Sequence, residues 1–231
     1  MITRTPLPDD DERLEVTDRD GIGSGQFKRR ADVHRAGDWH RTRTVWAVLP
    51  NHPGGPALLL QQRGLLKDAW PGLLDASSAG HIGPDDSDRW REVEEELGAR
   101  PADGDVLRLG LRRVESRQAG VRIDREVQEL WLWLCPRALA EFRPPAPEVT
   151  ALVAAPLTGL SDLIAGRVVY LACAVRWAAD DADRDARAPV ELRREDLIPD
   201  SLGYVAQVAT LAARALAGER DLLYDPARER A

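Results

Sequence analysis

Short apolar runs broken by turn-forming residues fill most of the chain, a pattern of strands with few helices between them. Leu14 to Val16 is followed by an Asp-Arg-Asp-Gly turn at 18–21, and Gln26–His34 is placed to pair back as a second strand. Thr44–Leu49 is apolar at nearly every position, which suits a strand buried on both faces. Turn chemistry over 51–56 separates it from a second such run, Ala57–Gln62, so the two are expected to form a hairpin. Further strands are expected at Val106–Glu115, Glu126–Cys135 and Val149–Ala155, with a proline-rich connector over 142–147. Helical spacing appears at Asp86–Leu97 before Gly98, at Leu157–Ala165 before Gly166, and at Leu202–Ala217 between Ser201 and Gly218. The last helix carries Leu202, Val205, Val208, Leu211, Ala212 and Leu216 on one stripe. That stripe is expected to dock, either on the core or on a second copy of the chain in a homodimer. Strands around one central helix, then helices, predict an α+β domain layered α/β/α, with a C-terminal helical extension. Residues 1–12 read as a loose arm and 178–189 as a polar loop.

Composition narrows the function classes. The 231 residues suit one domain with an appendage. A formal charge of −7 argues against a dedicated binder of nucleic acid polymers, which would need an excess of Lys and Arg against phosphates. No apolar run approaches the roughly 18 residues of a membrane span. The opening residues hold no apolar stretch of a secretory signal, and Cys135 and Cys173 are too few for a disulfide framework. The expected setting is therefore a reducing cytoplasm, with no membrane partner.

The chemistry is concentrated in the stretch from Gly80 to Ala99. At 100° per residue, Glu92, Glu95 and Glu96 share one arc of a helix, while Trp90, Val93 and Leu97 lie on roughly the opposite side. Carboxylates crowded on one face repel each other, and a hard divalent cation such as Mg²⁺ or Mn²⁺ would relieve that repulsion. A solvated acidic face is the plainer alternative.

Arg91 to Ala99 reads R-E-V-E-E-E-L-G-A, which resembles the second half of the Nudix box. The flanking pieces are similar to the Nudix branch that includes isopentenyl-diphosphate isomerase: Val33–Arg35, Trp39–Arg41, Leu58–Arg63, Lys67–Gly72, Gly80–His81 and Arg125–Glu129. The resemblance spans roughly residues 14–166, about two thirds of the chain. It implies a Nudix domain over 13–170, with a mixed β-sheet between helices, and an extension over 171–231. It also implies a hydrolase that cleaves a diphosphate linkage in a small nucleoside-diphosphate-like molecule. Glu92, Glu95 and Glu96 would be catalytic and hold Mg²⁺ or Mn²⁺, with Glu126 or Glu129 as a further carboxylate. Arg63, Lys67, Gly80 and His81 would contact the substrate, although a structural Arg63 is an equal alternative.

Two departures bear on that reading. In the full box, 14 positions separate the first glycine from the arginine, whereas Gly80 and Arg91 are 11 apart. Gly83 then stands where the first glutamate belongs, with Asp85 and Asp86 nearby either as helix caps or as its replacement. This shortening favours the rival reading, a catalytically weak domain that binds a nucleotide or a protein partner. The second departure concerns the isomerase. His34, His40 and His81 correspond to its metal-binding histidines, and Asp124 and Glu126 to its carboxylate ligands, so a second metal site for Mn²⁺ or Zn²⁺ is implied. Its proton-moving cysteine, however, is Ala79 here, which disfavours isomerisation.

Overall fold

The computed structural model describes residues 12–67, 69–84, 86–118, 122–178 and 189–230. The expected arm at 1–12 and loop at 178–189 lie almost wholly outside these residues, as does Asp85. In chain order the helices and strands are β1 (Arg13–Thr17), β2 (Gly23–Arg29), α1 (Arg30–Ala36), β3 (Trp39–Leu49), β4 (Ala57–Arg63), β5 (Leu74–Asp75), β6 (Ser78–His81), α2 (Arg91–Leu97), β7 (Val106–Gln118), β8 (Arg122–Leu134), β9 (Val149–Pro156), α3 (Leu157–Ile164), β10 (Leu171–Trp177), β11 (Val190–Leu192) and α4 (Leu202–Leu216). None of the described helices is long and apolar enough to cross a membrane. The chain divides into two compact units, with boundaries inside β3, β6, β7 and β8.

The first unit comprises residues up to Arg43, Gly80–Arg89 and Leu111–Glu129. Here β1 and β2 pair antiparallel, Leu14 opposite Lys28, around the expected turn, where the Gly21 N–H donates to the Asp18 carbonyl at 3.1 Å. The strand expected to run on to His34 stops at Arg29, and Arg30–Ala36 is helix instead. Arginine and alanine are good helix formers. Val33 and His34, adjacent in sequence, are both buried, which a strand would place on opposite faces. Gly37 closes α1 at φ +69°, its N–H donating to the Val33 carbonyl. A side chain there would also press on Ile123, at about 3.0 Å.

The second unit holds Thr44–Ala79, Trp90–Gly110 and the chain from Leu130. Its sheet runs β11-β10-β9-β4-β3, with β5 also on β4. The ladders are antiparallel, including the expected hairpin (Val48 opposite Leu58), and an isolated bridge from Leu74 to Leu197 is parallel. Alternate residues enter two separate cores. Trp46, Val48, Leu58, Leu60 and Val153 pack with α3 and α4, while Ala47, Leu49, Leu59, Leu152 and Ala154 pack with Trp90, Val93 and Leu97. Helices therefore cover both faces of the sheet, giving the α/β/α layering that doubly apolar strands require.

The central helix is shorter than its expected start at Asp86. Asp86 neither caps it nor belongs to it: its carboxylate takes the Arg43 guanidinium at 3.1 Å, and Arg43 also donates to the Arg89 carbonyl. Gly98 ends α2 as expected, at φ +63°. The C-terminal helix keeps its expected bounds, but the Ser201 hydroxyl donates back to the Ile198 carbonyl rather than capping. Tyr204, Val205, Val208, Leu211 and Ala212 are buried, and Tyr204 OH accepts from the Trp46 indole at 2.6 Å. The stripe thus docks on the sheet of its own chain.

Candidate metal centre

Within the first unit, α1, β3, β6 and β8 bring five potential ligands together. His40 on β3 is fully buried and His34 on α1 nearly so. Their ring centroids lie 5.0 Å apart, and those of His34 and His40 lie 5.5 and 5.3 Å from His81. On β8, Asp124 and Glu126 are two residues apart and so share a face. Ligand atoms of His34, His40 and His81 fall within 4.8 Å of one another, and those of His40, Asp124 and Glu126 do likewise. The Asp124 carboxylate is 3.2 Å from His34 Nε2 and 4.0 Å from His40 Nε2. His81 Nδ1 lies 3.2 Å from Glu12.

The protonation of His40 follows from its surroundings. Burial, reinforced by the neighbouring charges of His81 and His34, pulls its pKa down to about 3. The ring is neutral at pH 7, and its Nδ1 lies 3.2 Å from the Asp38 carbonyl, an acceptor that requires the proton on Nδ1. Nε2 then carries a lone pair, is buried, and has no hydrogen-bond partner. A buried imidazole nitrogen left without a partner, among two further imidazoles and two carboxylates, fits a divalent cation. Three nitrogens and two oxygens suit Mn²⁺ or Zn²⁺ better than the all-oxygen preference of Mg²⁺. Burial, and then the Asp124 charge, raises the pKa of Glu126, while hydrogen bonds from Gln128 and Thr42 oppose that rise.

The acidic helix is arranged differently. In the second unit only Glu96 turns inward, with 6% exposure. Its carboxylate accepts from the Ala79 N–H at 3.2 Å, and burial pushes its pKa up to about 7 against the pull of Ser78 and Lys67. Glu92 and Glu95 instead pair with Arg91, at 2.6 and 2.9 Å. Among the described residues, the clusters of potential ligands include no glutamate of α2. Glu126 joins the histidines. Arg63 donates to the Ala69 carbonyl and pairs with Asp75 at 3.0 Å, while Lys67 pairs with Glu148 at 3.1 Å. Gly80 sits on β6 one residue before His81. Sequence reasoning passed over Thr42, Arg112 and Gln128, which hydrogen-bond in a chain ending on Glu126, and the ion pairs of Glu129 with Arg41 and Arg43. Alternation along β3 and β8 was the available signal, since His40 and Thr42, like Glu126 and Gln128, share a face.

No family model matches the chain. Curated relatives do. A protein of Clostridium acetobutylicum named an uncharacterised Nudix hydrolase is 28% identical over 197 residues, covering 84% of this chain and 94% of that protein. Nudix hydrolase 3 of Arabidopsis thaliana is 43% identical over 93 residues, 39% of this chain but 12% of that protein. The chain is thus similar to Nudix hydrolases, over most of its length in the first case. Both relatives bear the name hydrolase, in keeping with an enzyme, and the observed architecture is the layered α+β one that the resemblance implied. Among solved structures, a Nudix hydrolase from Alicyclobacillus acidocaldarius overlaps 80% of this chain and 97% of its own, at 12% identity and a TM-score of 0.48.

Proposed function

We propose that this protein is a Nudix hydrolase, dependent on a divalent metal, that cleaves a diphosphate linkage in a small nucleoside-diphosphate-like molecule. We further propose that His34, His40, His81, Asp124 and Glu126 hold its metal. The observation that carries the metal dependence is the buried, unpartnered Nε2 of His40 among four other potential ligands. A bound divalent cation supplies Lewis acidity toward phosphoryl oxygens and lowers the pKa of water. On α2, Glu96 is the carboxylate suited to taking up a proton, because burial holds its pKa near the working pH. The Ala79 N–H fixes one of its oxygens in place. Glu92 and Glu95 would have to leave Arg91 before they could serve as ligands, as the Nudix box pattern would have them do.

The shortened box and the Arg91 pairs favour a second reading, a domain that binds a nucleotide without cleaving it. Isomerisation of isopentenyl diphosphate is disfavoured by Ala79. A phosphate-release screen over nucleoside diphosphates and their conjugates, with Mg²⁺, Mn²⁺ or Zn²⁺, separates the readings. Metal-dependent release from at least one substrate supports the hydrolase. Binding of a nucleotide without any release supports the second reading.

A further inference from the structure

Glu126 is held from behind by a chain of hydrogen bonds within the first unit. Its Oε2 accepts from the Thr42 hydroxyl at 3.2 Å and from the Gln128 amide at 2.8 Å. Neither bond uses Oε1. The Gln128 carbonyl oxygen in turn accepts from Arg112 Nη1 at 3.0 Å. A guanidinium can only donate, so Arg112 forces the amide oxygen of Gln128 toward itself and the amide NH₂ toward Glu126. Arg112 is 8% exposed and Thr42 4%, so water does not readily take over either role. The strands explain the placement: Gln128 follows Glu126 by two residues on β8, Thr42 follows His40 by two on β3, and Arg112 lies on β7, which pairs with β8. An arginine, an amide and a carboxylate in series bury polar groups that an apolar contact could replace if packing were all that mattered.

We infer that Arg112, Gln128 and Thr42 are positioning residues that pin the Glu126 carboxylate by one oxygen and leave the other available to a divalent cation. The inference rests on the metal reading of the centre. Its consequence is quantitative, because loss of a partner that orients a ligand lowers metal affinity by about 10- to 100-fold while the ligand itself remains.

Titration of the full chain with Co²⁺, followed by its visible absorption, tests this apart from activity. Wild type is expected to bind with a distinct ligand-field spectrum, and His40→Ala to lose that binding. Thr42→Val keeps the shape and removes only the hydroxyl donor; Gln128→Met keeps the length and removes the amide. Each is expected to bind Co²⁺ about tenfold or more weakly, with altered bands and with melting of the metal-free protein close to wild type. If both bind with wild-type affinity and spectrum while His40→Ala does not bind, the positioning role is overturned and the metal centre stands. If wild type does not bind, or His40→Ala binds as wild type does, the metal reading falls and takes the inference with it. Should Gln128→Met fail to fold, Thr42→Val alone decides by the same criteria.

Discussion

Glu96 and its two neighbours on the acidic helix show what burial does to identical side chains. Periodicity puts Glu92, Glu95 and Glu96 on one arc, yet only Glu96 is buried, with its pKa at about 7, while the others face Arg91. Glu96→Gln keeps an oxygen for the Ala79 N–H and removes the proton acceptor. Turnover in a phosphate-release assay should fall by at least about 100-fold, with melting at or above that of wild type because a buried charge is gone. Full activity would remove Glu96 from the mechanism. The difference among the three was not legible in the sequence, because it depends on which of them β6 covers. The histidine centre was legible only through resemblance. Its potential ligands come from α1, β3, β6 and β8, so no local spacing announces them.

At the scale of elements, apolar runs predicted the hairpin of β3 and β4, the strand β9 and the docked α4 well, because each buries a strongly patterned face. They failed where polar residues serve a buried role. His34 sits on a helix where the preceding turn had suggested a strand pairing back, and β10, with an arginine and an exposed alanine, carried too weak a pattern. The shortened box is another such place. Asp86 has the position of a helix cap or of a substitute metal ligand, and the structure gives it to Arg43 instead. Both side chains are largely buried, so Asp86→Asn leaves the Arg43 charge under-compensated. Urea denaturation should show a loss on the order of 2 kcal/mol, with Mn²⁺ affinity unchanged. A several-fold loss of Mn²⁺ affinity at unchanged stability would instead assign Asp86 the role of the missing glutamate.

For the molecule as a whole, the C-terminal residues belong to the core that carries the sheet. β11 and α4 contribute Leu192, Tyr204, Val205, Val208 and Leu211 to it, each buried side chain contributing about 1.5–3 kcal/mol before ordering costs are counted. Truncation after Pro189 should therefore cause aggregation, or lower the melting temperature by many degrees in a thermal scan. An unchanged monomer with unchanged melting would show α4 to be dispensable.

The two candidate metal sites lie on different elements, so one titration separates them. Calorimetric titration of Mn²⁺ into wild type, His40→Ala and Glu95→Gln tests the assignment of the centre most directly. The expected result is a tight site in wild type, kept in Glu95→Gln and lost in His40→Ala. Binding that survives in His40→Ala and disappears in Glu95→Gln would contradict it and return the metal to the acidic helix.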